Sequence, residues 1–398
     1  MDEEAKRIFM PQEELLEKAT AKKSMTIGIL RENKEDETRI CLTPEAAKIL
    51  VDNGHEVLLE RGAGNGSKYS DKDYSDNGVI VCDTPSKVLE CDIILKITPF
   101  TLQEIDMMRG NQLVISFLNV LMLNDEILNA LMRKRVTALA SERIKDQDGN
   151  ASVMDAMSEI SGIYSILIAS KYLSSTDGGK GTLLGGITGI TPSEVVILGA
   201  NTAGEYAARA ALGLGASVRV FDASLQRLRQ FQSLIGQRLY TSNFHPQVLT
   251  KALHSADVLI GAIELDDLRP WYYVTEDMVR GMKKGSVIID LSIDRGGCIE
   301  TTECRQLKNP VYEKFGVIHY SAWNIPSLIP RTASIALSNV FRPLILEIAH
   351  AGGINSMLKS SPYLRSSVYL FNGILTNETL GQKFGMLSKD INLLMAAF

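Results

Sequence analysis

The sequence predicts an α/β protein made of two doubly wound, mostly parallel sheets, and three observations carry that prediction. Its 398 residues exceed what one hydrophobic core usually organises. Short apolar runs alternate with helical stretches, the rhythm of parallel strands joined by crossover helices. That rhythm breaks near residue 150 at a turn and a long helix, then starts again.

In chain order, residues 1–24 are charged from the second residue and lack the apolar stretch and cleavage site of a secretory signal. They read as an amphipathic extension whose Ile8, Phe9, Leu15 and Leu16 can dock on the body or on a neighbouring subunit. From Met25 follow MTIGIL, a helix start at Thr43-Pro44, and the strand-like runs EVLLE, VIV, DIILKI and LVISFL. DQDGN (146–150) reads as a turn, MDAMSEISGIYSILIASKYL as a long helix, and GGKGTLLGGITGI as a glycine-rich connection. The second set of strands is EVVILGA, SVRVFD, DVLIGAI, SVIIDLS and GVIHYSAW. Beyond Pro330 come two helical stretches, too little for a domain, which are expected to return to the first one.

Composition narrows the partners. With 45% apolar and 22% charged residues, and apolar runs well short of a bilayer span, no membrane span is expected. A net charge of −5 with scattered Lys and Arg argues against nucleic acid and for small molecules. The five cysteines (Cys41, Cys82, Cys91, Cys298, Cys304) include no CxxC pair, so no metal is expected and reduced thiols in a cytoplasmic protein are the simplest reading.

The segment VVILGANTAGEYAARAALGLGASVRVFD has a strand, a glycine loop, a helix and a second strand ending in an acid. This is the setting a Rossmann dinucleotide fingerprint requires. Gly199 allows the tight turn, the helix N-terminus offers N–H groups to a pyrophosphate, and Gly204 lets helix and strand pack closely. Asp222 stands where a carboxylate would bond the ribose 2′-hydroxyl and repel a 2′-phosphate, favouring NAD over NADP. The middle glycine is replaced by Asn201, which adds bulk where the backbone should approach the pyrophosphate. A doubly wound domain can also keep such a loop for packing alone.

Longer stretches resemble one family: IGILRENKEDETRICLTPEAAKIL, HEVLLERGAGNGSKYSDKDY, MSEISG, GGKGTLLGGITGI, GSVIIDLSIDRGGCIET and HYSAWNIPSLIPRTAS. They resemble alanine dehydrogenase and the related N-terminal domain of proton-translocating nicotinamide nucleotide transhydrogenase. The resemblance implies a central NAD-binding Rossmann domain (153–333) inserted in a discontinuous substrate domain (25–152 and 334–398). It also implies a homo-oligomer, a hexamer or a dimer, acting on a small amino or keto acid.

By position, Arg39 resembles the arginine that holds the substrate carboxylate, for which a guanidinium fork is suited. Asp294 resembles the catalytic aspartate beside the nicotinamide. Ser158, Asn324 and Ile325 match positions lining the cofactor site, and Ala200, Thr202, Ala203, Arg227 and Leu291 complete the expected cofactor set with Gly199, Asn201, Gly204 and Asp222.

Three departures fall on the same cleft. Where the family has a catalytic histidine this chain has Asn119, which can orient an oxygen but cannot supply a proton near neutral pH. The substrate-binding lysine falls on Thr98, with Lys96 two residues earlier, and IELDDLRPWYY replaces a proline- and glycine-rich loop. Three readings follow: an NAD-dependent amino-acid dehydrogenase like L-alanine dehydrogenase with altered substrate or reduced activity, a non-catalytic NAD-binding regulator, and a soluble transhydrogenase-like component.

Overall fold

The computed structural model describes residues 24–32, 35–118, 123–264 and 272–397. Asn119, most of the N-terminal extension and residues 265–271 of the departing loop lie outside the described residues.

The strands are β1 (Thr26–Ile29), β2 (Glu56–Glu60), β3 (Ile80–Cys82), β4 (Ile93–Leu95), β5 (Leu113–Ser116), β6 (Thr137–Ala140), β7 (Glu194–Leu198), β8 (Ser217–Phe221), β9 (Tyr240–Ser242), β10 (Val258–Gly261), β11 (Val287–Asp290), β12 (Val311–Lys314), β13 (Val317–Tyr320), β14 (Val368–Phe371) and β15 (Ile374–Leu375). They form two sheets, ordered β15-β14-β6-β5-β4-β1-β2-β3 and β12-β13-β11-β10-β7-β8-β9. Both are parallel except at one edge, where β14, β15 and β12 run antiparallel to their neighbours.

Burial on both faces explains the unbroken apolar runs. Ile93 and Leu95 enter one core while Ile94 enters another, and Val195 and Ile197 divide from Val196 and Leu198 in the same way. Side chains alternate across a strand, so a strand covered on both sides must be apolar throughout.

Helix α1 (Pro44–Asp52) starts at Thr43, whose hydroxyl accepts the Ala46 N–H. Helix α2 (Ser152–Leu173) links the sheets and packs along α3 (Thr202–Gly213). The crossing is tight at Gly162, where a Cβ would lie 2.3 Å from the Ala203 carbonyl oxygen, and this gives the glycine of MSEISG its physical reason. Helix α4 (Pro330–His350) is long and apolar enough by composition to cross a membrane, but Leu337, Phe341, Ile345 and Ile348 are buried in the first sheet's core. Its apolar face is thereby satisfied within the fold.

The segment after Pro330 corrects the sequence reading. Beyond α4 lie not only helices but also the hairpin β14–β15, which joins β6 and closes one edge of the first sheet. Asn372 and Gly373 both have positive φ (49° and 79°), as a type I′ turn demands. Strands β6, β9 and β12 also went unread. The last two are three- and four-residue edge strands with mixed polar sequence, which leave no apolar run.

Candidate active site

In the second sheet the chain runs outward from β7 to β8 and β9, then returns to β10 on the other side of β7. The strand order therefore reverses between β7 and β10, and the loops after these two strands diverge to open a crevice. A cleft of about 340 Å³ occupies it. From the second sheet it is lined by Asn201–Ala203, Ala262–Glu264, Leu291–Arg295 and Ala322–Pro326, and from the other side by Arg39, Phe117 and helix α2.

The glycine loop has the geometry its spacing demands. Gly199 has φ 107°, and a Cβ there would lie 2.3 Å from the Ala262 carbonyl oxygen. A Cβ on Gly204 would lie 2.0 Å from the Gly199 carbonyl oxygen. Both positions are closed to any side chain.

Asn201 has a definite job: it caps α3, accepting the Gly204 N–H at 3.0 Å while its amide donates to the Ala262 carbonyl at 2.6 Å. It thus ties the loop after β7 to the loop after β10. Thr202 and Ala203 keep first-turn N–H groups that have no intrahelical acceptor, and both line the cleft. The Thr202 hydroxyl donates to Asp155 on α2.

Asp222 is buried just past β8 and accepts the N–H groups of Ala200 (2.8 Å) and Ser224 (2.7 Å), which fixes its carboxylate behind the loop. Arg227 pairs with Asp222 at 3.2 Å and with Glu264 at 3.8 Å. Ser158, Leu291 and Asn324 line the cleft. Ile325 does too, but is mostly packed into the second sheet's core.

Asp294 and Arg295 sit on a 3₁₀ turn after β11, facing the cleft. The turn is held by Asp290, which accepts the N–H groups of Ser292 and Cys298 and the Thr302 hydroxyl at 2.9–3.0 Å. Burial pushes the Asp290 carboxyl above the usual range against those bonds.

The opposite wall is dominated by internal pairing. Arg39 is buried and grips Glu37 in two places, Nε to Oε1 at 2.8 Å and Nη2 to Oε2 at 2.6 Å. Its remaining terminal nitrogen donates to the Met157 sulfur at 3.3 Å. Glu37 also accepts from Asn324 and Ser327, so it joins the loop after β1 to the segment after β13. Burial works to raise the Glu37 carboxyl, but the charge and hydrogen bonds of Arg39 outweigh it and hold it below the usual range.

Lys96 and Thr98, expected at the substrate, do not line the cleft. The Lys96 ammonium is buried between both oxygens of Glu104, at 2.7 and 2.8 Å. The Thr98 hydroxyl donates to Glu32 at 2.6 Å, and the Ile97 and Thr98 N–H groups complete that carboxylate's shell. Burial and the neighbouring Glu37 charge push the Glu32 carboxyl up to about 7, against the Thr98 hydroxyl, Lys96 and the Ile97 N–H. Glu32, Glu37, Glu104, Asp290 and Arg295 were not singled out from sequence. A signal existed for Glu37, which stands two residues before Arg39 inside the quoted motif.

Comparison with known proteins agrees with this architecture. The model for the alanine dehydrogenase/PNT N-terminal domain matches residues 28–163, and that for the C-terminal domain matches 165–378. An alanine dehydrogenase of Methanococcus maripaludis is 35% identical over 360 residues, covering 90% of this chain and 96% of that protein. An alanine dehydrogenase 2 of Staphylococcus aureus is 35% identical over 368 residues, covering 92% and 98%. A solved L-alanine dehydrogenase superposes with a TM-score of 0.84 at 33% identity over 91% of this chain and 99% of its own. A transhydrogenase of Sinorhizobium meliloti, at 24% identity and TM-score 0.75 over 89% and 99%, shares the fold. The chain belongs to the alanine dehydrogenase/PNT family.

Proposed function

We propose that the protein is an NAD-linked amino-acid dehydrogenase of the alanine dehydrogenase kind, with slow turnover of L-alanine or a different substrate. The observation that carries this reading is that one cleft is lined by the Gly199–Gly204 loop's helix start, by Arg39 and by Asp294. We assign 153–333 as the dinucleotide unit and 25–152 with 334–398 as the substrate unit. The strands of the second sheet all fall within 194–320, while the first draws on both chain ends.

The residues present fit a dinucleotide. At Gly199 and Gly204 any Cβ would strike backbone, and Thr202 and Ala203 offer N–H groups at a helix start to an anionic pyrophosphate. Asp222 retains lone pairs for a ribose hydroxyl and would repel a 2′-phosphate. When bound, NAD supplies a two-electron acceptor for the hydride on the substrate Cα.

The chain's own side chains supply the rest. Arg39 can exchange its weak sulfur contact for a substrate carboxylate while Glu37 holds its plane. Asp294 takes a proton from the water that converts the imine to keto acid and ammonium. Lys96 and Thr98 act as positioning residues, because their polar atoms are engaged by Glu104 and Glu32. Asn119 can orient an oxygen or nitrogen but not protonate it.

Assays with L-alanine and NAD, and with pyruvate, ammonium and NADH, test this. Turnover that disappears in Asp294→Ala and Arg39→Lys supports the roles, whereas persistence in both sinks them. A second reading, an NAD-binding regulator without turnover, draws on the mutual neutralisation of Arg39 with Glu37 and Lys96 with Glu104. Tight NAD binding by calorimetry with no turnover on a panel of amino and keto acids would favour it.

A further inference from the structure

The cleft lining carries two cations among the described residues, Arg39 and Arg295. They stand on different walls and in different states. Arg39 is clamped to Glu37. Arg295 is half-buried, its backbone N–H bonds the Ser292 carbonyl, and its guanidinium has no ion pair or hydrogen bond among the described residues. Arg227, the third arginine nearby, is spent on Asp222 and Glu264.

Strand order decides which end of the cleft Arg295 serves. Asp222, the expected ribose partner, follows β8 on one side of β7. Arg295 follows β11, two strands away from β7 on the other side. A dinucleotide laid across the crevice with its ribose at Asp222 leaves Arg295 at the reacting end, on the side of the pyrophosphate loop opposite Asp222. An anion met by Arg295 therefore belongs to the substrate.

We propose that Arg295 binds a second carboxylate, so that the substrates are amino and oxo dicarboxylic acids rather than alanine and pyruvate. The inference rests on the dehydrogenase reading above and names its substrate class. The charges match: Arg39 meets the α-carboxylate, Arg295 the side-chain carboxylate, and Asp294 the substrate ammonium. Two further acids stand on the lining, Glu264 paired with Arg227 and Asp155 with the Thr202 hydroxyl. A planar guanidinium suits this task because it takes both oxygens of a carboxylate at once.

The test uses the full chain. NADH binding is followed by fluorescence, and binding of oxaloacetate, 2-oxoglutarate and pyruvate by calorimetry with and without NADH. Values of kcat/KM for L-aspartate, L-glutamate and L-alanine are measured in parallel. One or both dicarboxylates should bind at least about tenfold more tightly than pyruvate, the gain expected from one charge-assisted pair. Arg295→Gln should erase that ratio, and Arg295→Lys should restore part of it. Equal binding of pyruvate and both dicarboxylates, or an Arg295→Gln loss that falls equally on all three, overturns the proposal. Failure of NADH to bind would strike the cofactor reading instead, while the dicarboxylate ratio measured without nucleotide still decides the substrate class.

Discussion

The two walls of the cleft are built on opposite principles. On and behind the wall after β1 and β4, the buried cations are matched to carboxylates of the same side: Arg39, which lines the cleft, to Glu37, and Lys96, which lies behind it, to Glu104. On the wall after β7 and β11, Thr202, Ala203, Asp294 and Arg295 face the cleft, and Arg295 keeps its guanidinium open among the described residues. Buried charges must be compensated or they cost several kcal/mol, so the first wall's charges chiefly hold structure. On the second wall Arg295 can spend its charge on a ligand. Mutations on the first should therefore be felt in stability, and at Arg39 in substrate binding as well, whereas those on the second should be felt chiefly in binding and rate.

Arg39→Ala should give the largest effect. It leaves Glu37 buried and ionised with only Asn324, Ser327 and its backbone contact, and should cost about 3–5 kcal/mol in chemical denaturation. The double variant Glu37→Leu with Arg39→Met removes both charges and should recover most of that loss. A double variant as unstable as the single one would show that the pair's value is not mutual neutralisation.

The walls also answer pH in opposite directions. Glu32, behind the first wall, is raised from 4.5 to about 7 chiefly by burial. Between those values the unfolded chain is ionised while the folded chain stays protonated, so its contribution to stability is lost as pH rises from 4.5 to 7. His319 in β13 lies under the second wall, its Nε2 bonded to the Thr301 hydroxyl and its Nδ1 to the Val317 carbonyl. Burial lowers it from 6.5 to about 4, so its contribution is lost as pH falls through that window.

Each titration moves stability by at most ~1.4 kcal/mol per pH unit, and the two oppose each other where they overlap. Single variants separate them. Relative to wild type, Glu32→Gln should gain stability as pH rises from 4.5 to 7. His319→Gln should gain as pH falls from 6.5 to 4. Parallel profiles for either variant and wild type would remove that group from the account.

Asp294→Asn should reverse the pattern of Arg39→Ala. The side chain is exposed at the cleft, so unfolding should scarcely change. Loss of its proton-accepting carboxylate should lower kcat by about a hundredfold. A large stability loss with little kinetic change would place Asp294 with the structural charges of the other wall.

How far the sequence disclosed this depends on the kind of residue. The double winding was legible because both sheets are covered on two faces, which makes their central strands continuous apolar runs such as VVIL and VII. The tight turn at Gly199 was legible because a positive φ and a close backbone approach leave that position little choice. The hairpin at Asn372-Gly373 was missed despite a sequence signal, since two apolar runs flanking Asn-Gly are among the strongest short-range hairpin marks. Lys96 and Glu104 could not be paired from spacing, because their contact depends on how the loop after β4 folds back onto the following helix start. Periodicity does not encode that. Nor could the open state of Arg295 be read, since it is defined by what surrounds it.

Asn201 looked like a defect in the fingerprint and proves to be a brace. Its amide spans the crevice mouth from the start of α3 to the Ala262 carbonyl, and its carbonyl oxygen takes up the Gly204 N–H. A pyrophosphate approaching the loop must pass this side chain, and the Gly204 donor is already engaged. Asn201→Gly should then free the donor and the space together. Glycine is an acceptable N-cap, so the stability cost should be only a few tenths of a kcal/mol. Affinity for NAD, read by calorimetry, should rise severalfold, with no comparable change in the binding of a keto acid at the far end of the cleft. A fall in NAD affinity would mean instead that the brace holds the two loops at the spacing the dinucleotide needs, and that the second wall, like the first, depends on an internal bond for its shape.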